Sequence, residues 1–281
     1  MFDALLHARA LKARDLADLA FFGVTGALVP SDDSIVSATA ARVRGGWAET
    51  VAAARRLRHA GLAAWAALGI HPARIPLRGL EALLADLPAE LGRPEVAALG
   101  AVGLGDGGEL AERVLVRQLE LGRELRRPVV LAAPWRDRER TIKRTLVILR
   151  EVELPPGRAL VAGADPRTVK SIRAMGQLAG VSLSAGAARE DPLDLAVRLV
   201  KEHGPEGIVF GSDAGQAGGD LLALPRAADR LARAGLSDAV IRRVCGQNAL
   251  AFLGVDVEAL ALPRAGAKPG TRPGGKAARR R

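Results

Sequence analysis

The chain has no tyrosine, a single cysteine and only 3% aromatic residues in its 281 positions. One thiol, Cys245, excludes an intrachain disulfide. No run approaches the roughly 18–20 uninterrupted apolar residues of a membrane span. Charged residues interrupt the N-terminus from Asp3 onward and no cleavage pattern follows, so no signal peptide is expected. A cytoplasmic protein without membrane attachment is the expectation. With 49% hydrophobic residues and so few rings, the core must be built from alanine, leucine and valine. Such a core suits parallel strands covered by helices.

Acidic residues are missing from one region altogether. Between Pro263 and Arg281 there are seven basic side chains (Arg264, Lys268, Arg272, Lys276, Arg279, Arg280, Arg281) and no acidic one. Of the net charge of +10, the rest of the chain therefore carries only +3. The body is not a basic nucleic-acid platform. Residues 255–281, rich in Pro, Gly and Arg with little to bury, are expected to form a disordered tail behind one domain of residues 1–254. The tail has charges for phosphates but no aromatics for stacking bases, so nucleic acid is not the expected partner.

What the body contains is alternation. Short apolar runs occur at Met1–Leu6, Val24–Val29, Leu62–Ile70, Val96–Val102, Val129–Ala133, Ala159–Ala162, Val181–Ser184 and Gly207–Gly211. Between them lie amphipathic stretches at Lys12–Phe22, from Asp32, Asp33 and Ser34 to near His59, then Leu80–Leu91, Glu109–Arg126, Arg140–Val152, Pro166–Gln177 and Leu193–His203. Stretches at Leu221–Ala234 and Asp238–Leu253 follow the last run. Leu110, Val114, Leu115, Gln118, Leu121 and Leu125 recur at three- and four-residue steps, the mark of a helix with one apolar face. Eight strands buried on both faces and joined by helices predict an α/β fold with a parallel sheet, closed as a (β/α)₈ TIM barrel. No Gly-x-Gly-x-x-Gly follows the first run, which argues against a dinucleotide-binding unit.

In such barrels the chemistry sits where strands end. Those positions here read Asp3-Ala4-Leu5-Leu6-His7, Gly69-Ile70-His71-Pro72, Gly100-Ala101-Val102-Gly103-Leu104, Leu131-Ala132-Ala133-Pro134 and Gly211-Ser212-Asp213-Ala214-Gly215. Gln118-Leu119-Glu120-Leu121 lies on the helix before the fifth strand. In this order and spacing, from Met1 to Gly254, the chain resembles the TatD-like metal-dependent hydrolases of the amidohydrolase superfamily. The resemblance implies a divalent metal centre and a hydrolytic activity. It also implies metal ligands at six places, and four of these lack a donor: Leu5 stands for a His, Ala101 for a Glu, and Ala132 and Gly163 for two further His. Only His7 and Asp213 keep a ligand type.

Leucine, alanine and glycine side chains cannot donate to a metal. A catalytic ion of this kind needs three or more protein ligands, so at most a weakly held divalent ion is expected at His7 and Asp213. Without it, bound water is not acidified and hydrolysis loses its nucleophile. The expected protein is thus a divergent TatD-like barrel acting as a scaffold or small-ligand binder, a pseudoenzyme that meets a protein partner or a small molecule. The alternative is a hydrolase of phosphoester or amide bonds with a reduced site. There Asp213 would be the base, His7 a ligand or acid, and His71 and Arg136 would hold an anion.

Each residue also has a plainer role. His7 fits a buried, hydrogen-bonded histidine, His71 a passive member of a turn, and Asp213 a helix cap. Asp106 and Asp165 fit turns, and Arg136 and Arg138 a solvated loop. His59 and His203 suit helix C-termini, and Cys245 a buried thiol.

Overall fold

The computed structural model describes residues 1–31, 39–105, 107–134, 136–184, 190–216 and 219–255. Asp32, Asp33, Ser34, Asp106 and residues 256–281, with all seven basic side chains of the tail, lie outside them.

Eight parallel strands follow one another in chain order around a barrel. They are β1 (Phe2–Asp3), β2 (Gly26–Pro30), β3 (Ala63–Leu68), β4 (Val96–Val102), β5 (Val129–Leu131), β6 (Ala159–Ala162), β7 (Leu178–Ser182) and β8 (Ile208–Gly211). Between β8 and β1 the ring is brought together by Ala4 N–H donating to Phe210 O at 3.4 Å and Asp213 N–H donating to Leu5 O at 3.0 Å. Helices cover the outside: α1 (Ala13–Phe21), α2 (Ala40–His59), α3 (Leu80–Leu91), α4 (Glu109–Glu124), α5 (Arg138–Glu151), α6 (Val169–Ala174), α7 (Pro192–His203), α8 (Ala223–Arg233), α9 (Asp238–Arg242) and α10 (Asn248–Leu253).

Two apolar cores follow from the period-two alternation of the strands. Leu28, Ala67, Ala98, Val130, Leu160 and Val209 belong to one, together with Leu250 and Phe252 of α10. Their neighbours, such as Val29, Leu68, Leu99, Leu131, Val161 and Phe210, form the other with the helices. Both faces of each strand are therefore buried, which is why the runs read as continuous rather than alternating.

Local chemistry sets the element ends. Thr39 caps α2 by accepting from Arg42 N–H at 3.3 Å, and Asp191 caps α7 by accepting from Leu193 N–H at 2.8 Å, with Pro192 at the first helical position.

Four expectations need correction. β1 is only Phe2–Asp3 where the apolar run spans Met1–Leu6. β7 spans Leu178–Ser182 rather than Val181–Ser184. Leu178, Ala179 and Gly180 pair with β6, but Gly180 breaks the apolar run and hides their strand character. The helix expected over Pro166–Gln177 is only Val169–Ala174. Its beginning is taken by a turn in which Asp165 Oδ1 accepts from the N–H groups of Arg167 and Thr168, both at 3.0 Å. The last helical stretch is divided by a π-type turn over Arg243–Gln247, with Gly246 outside helical geometry.

Candidate functional site

The C-terminal ends of the strands surround one cavity of about 630 Å³. Leu5, Ala101, Ala132 and Gly163 all line it, as do His7, His71, Arg136 and Asp213. The fold thus gathers onto one cavity both the residues that keep donors and those that lack them.

His7 is buried behind β1. Its N–H donates to Ala214 O at 2.8 Å, its Nε2 lies 3.9 Å from Asp213 Oδ1, and its Nδ1 lies 3.3 Å from Gln216 Nε2. Asp213 follows β8 in the left-handed region at φ 50°, an unusual conformation for a residue other than glycine. It is held there by its own N–H on Leu5 O, and its Oδ2 accepts a hydrogen bond from Ser182 Oγ. Gly215 completes the turn. At φ 93° it needs glycine, because a Cβ would stand 2.0 Å from His7 O.

Asp3 ties β1 to β8 nearby. It is fully buried, and its Oδ1 accepts from Leu5 N–H at 3.1 Å and Ser212 N–H at 3.0 Å, while Oδ2 has no hydrogen-bond partner. Burial pushes its carboxyl up to about 6, against the opposing pull of hydrogen bonds from Ser212.

His71 follows β3 and plays the turn role as well as lining the cavity. Its Nδ1 accepts from Ala73 N–H at 3.3 Å, capping a short 3₁₀ turn over Pro72–Arg74. The segment before it is clamped by Gln118 of α4. Gln118 Oε1 accepts from Ile70 N–H at 2.7 Å, and its Nε2 donates to Ile70 O at 3.3 Å. Gln118→Leu leaves two buried backbone groups unpaired and should cost about 2 kcal/mol. Urea unfolding should show the midpoint falling at constant slope; an unchanged midpoint would mean that water or another side chain replaces the amide.

Arg136 is exposed at the rim, and Arg138, the first residue of α5, reaches the same cavity with its Nε donating to Pro134 O at 3.4 Å. Asp165 is outside this cavity and forms the turn before α6. His59 Nδ1 pairs with Arg55 O at 2.7 Å at the end of α2, and His203 lies 3.8 Å from Glu202 at the end of α7. Cys245 is buried, and burial raises its thiol to about 12, so it is inert as a nucleophile. Ser182 and Gln216 are the wall residues that sequence reasoning missed. Ser182 closes β7, whereas the expected run placed it inside the strand and put the strand end at Ser184.

Leu5, Ala101, Ala132 and Gly163, where the resemblance implies metal ligands, line the cavity with hydrocarbon or bare backbone and do not fit that donor set. Among the described residues no three His, Cys, Asp or Glu side chains are grouped so as to hold an ion.

A barrel of eight parallel strands carries its cavity at the strand C-termini, the face on which barrels of this kind place their sites. No protein-family model matches the chain. It is 24% identical over 253 residues to an uncharacterized metal-dependent hydrolase of Methanocaldococcus jannaschii, covering 90% of this chain and 99% of that protein. The crystal structure of a TatD-like protein from Archaeoglobus fulgidus superposes with a TM-score of 0.75 at 24% identity, covering 91% of this chain and all of that one. A β-aspartyl dipeptidase from Fervidobacterium islandicum superposes at 0.65 with 14% identity, over 90% of this chain and 72% of its own. The resemblance to TatD-like metal-dependent hydrolases carried by the motifs therefore holds over nearly the whole chain. Among the described residues no helix is long and apolar enough to cross a membrane.

Proposed function

We propose that this chain is a TatD-like barrel without a working metal centre, and that it binds a small molecule in the cavity at its strand ends, in the cytoplasm. One observation carries this reading: four positions around a cavity of about 630 Å³ have no metal donor, while the cavity keeps a volume typical of ligand pockets. His7 and Asp213 offer one nitrogen and one carboxylate, fewer than the three protein ligands of catalytic zinc sites. Loss of the ligands abolishes the acidified water but leaves the cavity. That favours a binder over a bare scaffold.

The name of the Methanocaldococcus relative supports a second reading, and the contact of Ser182 and His7 with Asp213 favours it in a metal-free form. Asp213, oriented by Ser182, would take a proton from water beside the His7 ring, acting on a phosphoester or amide.

Metal content decides first. Protein purified without chelator should contain no stoichiometric metal. Titration with zinc, manganese or magnesium should leave its thermal unfolding unchanged, whereas a real site filled to a hundred times its Kd would add about 2.7 kcal/mol. Tightly held metal would overturn the first reading. Hydrolysis that survives chelation but disappears in Asp213→Asn would establish the second.

A further inference from the structure

The space above β6 has a neighbour that the strand-end motifs do not foretell. Gly163 is in the left-handed region at φ 73°, and a Cβ built on it would lie 3.5 Å from Arg138 Nε and 3.6 Å from Arg138 Cδ. The Arg138 side chain thus borders, at ordinary contact distance, the space into which a side chain at position 163 would extend. An arginine lines one of the positions where the resemblance implies a metal ligand. Its Nε also donates to Pro134 O at 3.4 Å. Arg138 is the first residue of α5, where the backbone dipole disfavours a cation. Arg136 adds a second positive charge at the rim.

The rest of the cavity divides by chemistry. Leu5, Ala101, Val130 and Ala132 make an apolar surface, and Asp213 stands on the β8 side with its carboxylate facing the same space. A carboxylate there repels an anion, so a negative head group has one favourable end, the arginine end, and a hydrocarbon body has the apolar surface.

We infer that the cavity binds a small oxyanion with an apolar body, an aliphatic carboxylate or phosphate monoester, whose head group Arg138 and Arg136 hold by charge-assisted hydrogen bonds. This rests on the cavity being a binding site rather than a metal centre. Charge is supplied by a guanidinium in place of an ion, and the apolar residues at the ligand positions supply the surface for the body. Each methylene taken out of water there adds about fourfold in affinity.

Calorimetric titration of the full-length protein tests this with butanoate, hexanoate, octanoate and hexyl phosphate, against hexanol, hexylamine and inorganic phosphate. Hexanoate or hexyl phosphate should bind, tightening about fourfold per added methylene, and hexanol and hexylamine should not. Preference between hexanoate and hexyl phosphate identifies the head group. Arg138→Gln should weaken the bound anion by about tenfold or more. Ala132→Phe should block the apolar body while leaving Arg138 in place, which keeps the test decisive if Arg138→Gln does not fold. Equal binding of hexanol, or an unchanged affinity in both variants, overturns the inference. Failure of every anion on metal-free protein overturns only this inference, whereas stoichiometric metal overturns the reading beneath it.

Discussion

Trp47→Ala should destabilise the protein by about 4 kcal/mol, the largest loss expected from any single side chain near the site. Trp47 sits on the inner face of α2, 2% exposed, among Val43, Val51 and Leu68 in the core between helix and sheet. Its truncation removes the ring's buried area and leaves a cavity that the rigid barrel wall cannot collapse into. The indole Nε1 also donates to Gly69 O at 2.8 Å, at the end of β3 and two residues before His71. Ser31 Oγ also lies 3.3 Å from this carbonyl, but it is closer to Gly100 O at 2.7 Å and has a single proton, so loss of the indole N–H adds to a cost that packing dominates. Trp47→Phe separates the two contributions, because it keeps most of the ring and loses the hydrogen bond, for about 1 kcal/mol. Equilibrium unfolding in urea should show a falling midpoint at constant slope for both. A loss below about 1 kcal/mol in the alanine variant would mean that α2 moves inward and that the β3 end is not held by it.

Asp3→Asn should change how stability depends on pH. The folded-state carboxyl is raised from 3.8 to about 6 by burial. Between those values the folded protein holds a proton that the unfolded chain has lost, so stability falls as pH rises through this window. Below the unfolded value no penalty exists; above about pH 6 it is complete and on the order of 3 kcal/mol at most. The asparagine carbonyl can still accept from Leu5 and Ser212 N–H. Its amide takes the place of Oδ2, which has no partner, and that costs part of the gain at every pH. The difference in unfolding free energy, variant minus parent, should therefore climb between pH 4 and pH 6 and then level. Parallel curves would show that Asp3 is ionised in the folded protein as readily as in the unfolded one.

Much of this architecture was legible in the chain. β4 and β6 span the residues their apolar runs predict, and α3 matches its periodicity, because each is bounded by a sharp change in pattern. The strand-end positions Leu5, His7, His71, Ala101, Ala132, Gly163 and Asp213 do face one cavity, since a closed parallel barrel brings all eight strand ends to one rim. Ser182 was not legible. Its role requires the true register of β7, and Gly180 conceals three paired residues of that strand.

The order of apolar runs and helices determines the barrel, because parallel strands buried on both faces admit few other closures. The same sequence determines which strand ends lack metal donors, since the identity of a side chain needs no coordinates. Only the tertiary structure decided which charges share the cavity. Arg138 lies twenty-five residues before Gly163 and yet borders it, and Ser182, thirty-one residues before Asp213, donates to its carboxylate. Such contacts arise from neighbouring strands meeting at a common rim. They depend on register and rotamer, which local pattern does not encode.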